Sequence, residues 1–279
     1  AQVIELDPAR QAFLDDHRID GTPVLPGVMG MEGFAEAART LLPGWHVVAI
    51  EDVELLAPFK FYRDEPRRLE LEAQPYDGGD GTIAARCRLL GRRELPGQEE
   101  RETVHFTGTV RLSRKAPALA ELAVPVYAGD GVGVGTEAVS GVSSHGPAYQ
   151  VLARAWRDDG HVVGRLAADL PPGHEPQDLP TTAAPRLIEL CFQTAGVWEL
   201  GTSGRMALPT HVDRVTLSGL TPEGEVFAVV TTGEDGASDA QVVDGRGRVI
   251  VRLEGYRTIE LPGALDEAAL APIRAAMRP

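Results

Sequence analysis

Cysteine is nearly absent: only Cys87 and Cys191 occur in 279 residues, both inside apolar stretches, so neither a disulfide framework nor a cysteine-rich metal centre is expected. Positive charge is also short, with 27 Lys and Arg against 41 Asp and Glu and a net charge of −14. Such a chain repels phosphate backbones, and its basic residues are scattered apart from pairs such as Arg67-Arg68 and Arg92-Arg93, so nucleic acid is not an expected partner. No apolar run approaches the roughly 20 residues that cross a bilayer, so no membrane association is expected. The chain starts at Ala1 and shows no charged segment followed by an apolar one, which leads us to expect no signal peptide, a cytoplasmic setting and a piece cut from a longer polypeptide. The histidines at 46, 105, 161 and 174 fall at strand ends or in loops without metal-ligand spacing, and no metal is expected. The glycine run Gly131-Val132-Gly133-Val134-Gly135 sits in an Ala, Pro and Gly-rich stretch and is expected to have no helix after it, so it is not a dinucleotide or phosphate fingerprint; no redox cofactor is implied. What remains is an ordinary globular composition, 43% hydrophobic and 24% charged.

Periodicity divides this material into two similar halves. A helix is expected over 27–42, opened by Pro26-Gly27 and closed by Pro43-Gly44, followed by strands at 46–58, 67–76, 82–91 and 101–113. The second half offers strands at 150–157 and 161–169, a helix at 183–199, and strands at 211–218, 225–232, 239–244 and 247–261. The halves share element order, not sequence. We expect units at 1–114 and 135–262, a linker at 115–134 lying on the surface, and a helical tail or interdomain linker at 263–279.

The strongest local pattern is His17-Arg18-Ile19-Asp20-Gly21-Thr22-Pro23-Val24-Leu25-Pro26-Gly27. A histidine in a loop of turn formers ahead of a helix can face a cavity, and an ordinary pKa of about 6.5 leaves it largely neutral, as a general base requires. Pro26 suits the first helical position; the N–H groups of Gly27 and Val28 can then meet an oxygen gaining negative charge, and Gly27 lets a substrate come close. A purely structural His-Gly-Pro loop satisfies the same spacing. The pattern His17-x3-Gly21-x4-Pro26 resembles the HxxxGxxxxP signature of dehydratase domains in polyketide and fatty acid synthases. Its continuation Val28-Met29-Gly30-Met31-Glu32 looks like the iterative branch that includes enediyne and polyunsaturated fatty acid synthases. The resemblance implies that His17 is the base.

Removing water also needs an acid, because hydroxide leaves poorly until protonated. In Pro185-Arg186-Leu187-Ile188-Glu189-Leu190-Cys191-Phe192-Gln193, apolar residues run nearly all round, implying a buried helix on which Glu189 and Gln193 share a face. Desolvation there is expected to raise the Glu189 pKa toward the proton-donating range, with Gln193 orienting the carboxyl. Solvent exposure, or pairing with a buried arginine, fits the helix equally. The segment is similar to the family pattern Pro-x-Leu-Leu-Asp-x-x-x-(Gln/His), with Glu189 where most members carry aspartate, a reach longer by about 1.5 Å.

His145-Gly146-Pro147-Ala148-Tyr149 resembles the family segment GYxYGPxF, which borders the acyl tunnel: Gly146 and Pro147 agree, Tyr149 replaces the phenylalanine, and Ser143 and His145 stand at the two tyrosines. His145 can donate to the hydroxyl or to Glu189, or serve the loop alone. Leu208-Pro209-Thr210-His211-Val212 is similar to a family loop, so His211 is expected at the tunnel mouth. Together these resemblances imply a double hotdog of the α+β class, two antiparallel sheets each wrapped round its own central helix, with the site and an apolar tunnel between them. They imply an acyl carrier protein as partner, its phosphopantetheine arm carrying the substrate, neighbouring synthase domains, and a possible homodimer. A product-template cyclase, a double-bond isomerase and a non-catalytic chain-binding domain remain open alternatives.

Overall fold

A computed structural model describes residues 1–93, 101–127, 132–142, 145–263 and 265–278. In chain order the elements are β1 (Gln2–Leu6), α1 (Ala12–Asp15), β2 (Arg18–Ile19), β3 (Thr22–Pro23), α2 (Gly27–Leu41), β4 (His46–Leu55), β5 (Arg67–Gly79), β6 (Thr82–Arg93) and β7 (Arg101–Ser113). The second half adds β8 (Gly133–Gly135), α3 (Thr136–Ser140), β9 (Leu152–Asp158), β10 (His161–Leu166), α4 (Pro185–Ser203), β11 (Ala207–Leu217), β12 (Val226–Thr232), β13 (Ser238–Asp244), β14 (Val249–Glu260) and α5 (Glu267–Met277). The fold is the double hotdog, and each helix-then-strands half is present. The sheets, however, are not separate. One 12-stranded sheet runs β1-β5-β6-β7-β4-β11-β14-β13-β12-β10-β9-β8, antiparallel throughout, because β4 of the first half pairs with β11 of the second. Among the described residues, no helix is long and apolar enough to cross a membrane.

The two long helices lie against this sheet, α2 on β4 to β7 and α4 chiefly on β9 to β13, and they touch one another. Val28, Met31, Phe34, Ala35 and Ala38 of α2 and Ile188, Leu190, Cys191 and Ala195 of α4 are buried in one continuous core with Ile50, Val110, Val212 and Val215 of the strands. The spacing of the α2 residues is the one-sided helical pattern read from sequence, whereas α4 is enclosed on more sides.

Several pieces depart from expectation. The stretch expected as a linker ends in β8, which pairs with β9, and α3 does follow the glycine run. Earlier in that stretch, Leu122 N–H bonds to the Gly247 carbonyl and Tyr127 packs against Trp156. The tail helix α5 docks on α4 and buries Leu270, Ile273, Ala276 and Met277. Short pieces at β1, α1 and the β2–β3 hairpin were not expected at all.

His211 lies at the seam between halves, where β11 pairs with β4. Its neighbour Val212 points into the core, so the alternation of a strand turns His211 to the outer face. There its Nδ1 meets Glu54 of β4 and its Nε2 meets Asp213, each at 2.7 Å. Partial burial works against the imidazolium, but hydrogen bonds to Asp213 and Glu54 outweigh it and raise the pKa above the ordinary 6.5. Beside it, Glu51 of β4 accepts from Arg111 of β7 and Arg214 of β11 at 2.9 and 2.6 Å. A raised folded-state pKa means that stability from His211 is full below the unfolded value and lost as pH rises through the folded one. Urea unfolding of the parent and a His211→Asn variant, compared across pH, should therefore give a stability difference that shrinks on going from pH 6 upward; a difference flat with pH overturns the charged clasp.

Candidate active site

The spacing of the first motif has a simple structural meaning. Residues 18–23 form a two-residue hairpin whose turn, Asp20-Gly21, has positive φ at both positions (49° and 77°), a conformation that Asp-Gly adopts readily. The hairpin returns Val24 beside His17, so that Val24 N–H donates to the His17 carbonyl at 2.9 Å and His17 Nδ1 meets the Val24 carbonyl at 2.7 Å. Gly21 thus shapes the loop and lies away from the cluster. A carbonyl can only accept, so Nδ1 carries the proton and Nε2 presents its lone pair. Burial, followed by the neighbouring His145, lowers the His17 pKa and keeps the ring neutral.

Pro26 caps α2 from outside the helix instead of occupying its first position, and its carbonyl accepts from Met29 and Gly30. The N–H groups of Gly27 and Val28 precede these first intrahelical bonds, as the leading donors of a helix do. Packing at 27 is close as well: a Cβ there would stand 3.0 Å from the end of the Leu55 side chain, which would have to shift slightly.

The second half supplies the remaining groups. Glu189, 5% exposed on α4, accepts at Oε1 from Gln193 Nε2 at 2.9 Å, and the same amide reaches the Tyr149 carbonyl at 2.7 Å. The Nε2 of His145 lies 3.4 Å from Glu189 Oε1, while the His145 and His17 rings are 5.4 Å apart. His17, His145, Glu189 and Gln193 therefore make one cluster drawn from both halves. The expected rise of the Glu189 pKa is not found. Burial does push it up, but the His145 hydrogen bond, the electrostatic influence of the two nearby imidazoles and the Gln193 hydrogen bond outweigh it, leaving the carboxyl below its ordinary range.

Two carboxylates that sequence reading missed hold the halves in register around this cluster. Asp16, next to His17, accepts from Gly146 N–H on its carbonyl and from Ala148 N–H on its carboxylate, each at 2.7 Å. Gly146 must be glycine, because a Cβ would sit 2.2 Å from the Asp16 carboxylate. Pro147 opens a short turn, 147–149, that buries Tyr149. Glu32 of α2 accepts from Thr182 and Ala183 N–H at 2.6 and 2.7 Å, just before Ala184 enters α4 in a left-handed conformation (φ 50°). The acidic pair Asp15-Asp16 and Glu32, set among apolar residues of α2, were the available signals. Ser143 lies outside the described residues. Two cavities, of about 620 and 680 Å³, lie elsewhere, one lined by Lys60, Arg67 and His105 and the other by Tyr127, Trp156 and Phe227; neither is lined by His17 or Glu189.

Comparison with known proteins bears on the family and the fold. A family profile described as polyketide synthase dehydratase domain matches residues 3–87, and one described as polyketide synthase dehydratase N-terminal domain matches residues 139–268. The polyketide synthase ThaG of Burkholderia thailandensis is 26% identical over 270 residues, 91% of this chain. A polyunsaturated fatty acid synthase polypeptide from Thraustochytrium is 24% identical over 247 residues, 82% of this chain, in keeping with the branch noted from the first motif. The chain spans only 4% and 8% of the length of these two relatives. Among solved structures, the dehydratase domain from the CurF module of curacin polyketide synthase superposes with a TM-score of 0.76 at 17% identity, covering 93% of this chain and 92% of that one.

Removing the Glu32 carboxylate should loosen the start of α4. Glu32→Ala strands two backbone N–H groups, so urea unfolding should show a loss of about 1–3 kcal/mol, whereas unchanged stability would mean that the carboxylate holds nothing in place.

Proposed function

The chain belongs to the polyketide synthase dehydratase domains, and from that premise we propose that it removes water from a β-hydroxyacyl thioester on the phosphopantetheine arm of an acyl carrier protein, with His17 as base and Glu189 as acid. The observation that carries this reading is the cluster itself: a neutral imidazole with its Nε2 lone pair free and a buried carboxyl, brought from opposite halves to a shared imidazole, His145. The α-proton of a thioester passes to His17 Nε2. Its electron pair forms the α,β double bond as the β-carbon–oxygen bond breaks, and the departing oxygen takes a proton from the Glu189 side of the cluster. The leading N–H groups of α2, on Gly27 and Val28, steady the thioester oxygen while it bears partial negative charge. Gln193 keeps Glu189 aimed. His145 Nε2, 3.4 Å from Glu189 Oε1, stands where it can share the proton that the leaving group takes.

The chemistry calls for no redox cofactor or metal. In this reading the chain works as one domain among synthase neighbours, with 1–114 and 135–262 as its functional halves, and the acyl chain enters between them. Cyclase, isomerase and passive binding are the competing outcomes of the test.

Incubation with a 3-hydroxyacyl pantetheine thioester should yield the enoyl thioester by mass spectrometry, and His17→Ala and Glu189→Gln should each slow this by about 10²- to 10⁴-fold. The acid limb of kcat/KM should fall below the ordinary imidazole value of about 6.5, since a base with a lowered pKa stays unprotonated further down the scale. Folded parent protein that releases no water overturns the dehydratase reading.

A further inference from the structure

The acid side of the cluster contains more than Glu189 needs for orientation. Oε1 of Glu189 already receives Gln193 Nε2 at 2.9 Å and faces His145 Nε2 at 3.4 Å, and the side chain is almost wholly enclosed. The His145 ring is thereby placed with one nitrogen on the carboxylate. Its other nitrogen, Nδ1, is buried and has no hydrogen-bond partner among the described residues. A buried ring nitrogen without a partner is costly unless something else supplies one, and here it lies on a ring 5.4 Å from that of the base. The two rings are therefore neighbours in one cluster, with His145 in contact with both the base and the carboxylate. His145 is held from its C-terminal side: its carbonyl accepts from Gln150 at 2.9 Å, and the next residue is tied to Asp16.

We propose that His145 is the catalytic residue that passes the proton to the leaving β-hydroxyl from Nδ1, with Glu189 behind it as the carboxylate that keeps the proton on the ring. This rests on the dehydratase reading and refines its acid. Before reaction the His145–Glu189 pair holds one proton more than neutral imidazole plus carboxylate, and His17 is neutral. The Cα–H bond breaks to His17 Nε2, its electrons form the C=C bond, the Cβ–O bond breaks, and the oxygen leaves as water with the proton from His145 Nδ1. His17 is then cationic and the pair anionic, so total charge is conserved. The site is restored when the His17 proton returns to the pair.

A leaving group that departs without a proton separates acid chemistry from structure. The parent, His145→Phe and His17→Ala would be compared on a 3-hydroxyacyl pantetheine thioester and on its 3-acetoxy counterpart, from which acetate leaves as the anion. His145→Phe should slow water loss by about 10²- to 10⁴-fold yet eliminate acetate within a few-fold of the parent, while His17→Ala should lose both reactions. Acetate elimination by the variant also demonstrates that it is folded. Water loss at the parental rate in His145→Phe, or equal loss of both reactions, overturns this assignment while leaving dehydration by the parent intact. A parent that dehydrates nothing overturns the dehydratase reading and this refinement with it.

Discussion

The antiparallel pairing of β4 with β11 is the constraint on which the rest of the molecule depends. It sets Val53 opposite Val212 and Ile50 opposite Val215, apolar pairs that are all buried in the common core. Because side chains alternate along a strand, a slip of one residue would turn these valines outward and bring Glu54 and His211 into the core, so the register is strongly specified. Joined there, the two halves share one sheet, and α2 and α4 are laid against each other. The residue ahead of one helix, His17, and a residue within the other, Glu189, then have no choice but to meet.

Two carboxylates refine that meeting. Asp16 and Glu32 belong to the first half, yet both accept backbone N–H groups of the second, at Ala148 and at Thr182 and Ala183. Backbone donors are fixed by the chain, so these contacts position whole segments. One anchors the loop of His145 and the other the start of the helix of Glu189. The Glu32 carboxyl is raised by its burial although both N–H bonds oppose this, which marks how dry the junction is. The same dryness acts on the cluster. It lowers the His17 imidazole outright, but at Glu189 the nearby imidazoles overcome it, so two buried groups in one site respond in the same direction for different reasons.

Where a residue's role follows from local geometry, it could be read in advance. The catalytic-motif spacing from His17 to Pro26 was legible, although the Asp-Gly hairpin within it, which brings Val24 onto the imidazole, was not anticipated. Glu189 and Gln193 are one helical turn apart, so their contact needs nothing beyond the helix. Asp16 was illegible because its partners lie more than a hundred residues away, and an acidic residue beside a loop usually faces water. The contacts of His211 were illegible for a similar reason: its partner Glu54 lies on a strand of the other half, which only the pairing of β4 with β11 brings alongside. The amphipathic pattern of α5 signalled a helix, and only the surface of α4 explains why that helix is docked.

What the amino-acid order determined alone was the set of elements, the two helix-then-strand halves, the hairpin that fixes the His17 tautomer, and the carboxyl–amide pair on α4. All of these arise from contacts within a few residues, where chain connectivity brings the partners together. The tertiary structure decided the joining of two sheets into one, the placement of His145 between His17 and Glu189, and the depression of the Glu189 pKa. Those depend on charges and hydrogen-bonding groups brought together from distant segments in a dehydrated junction, where distance and burial, which no local pattern records, set the strength of every interaction.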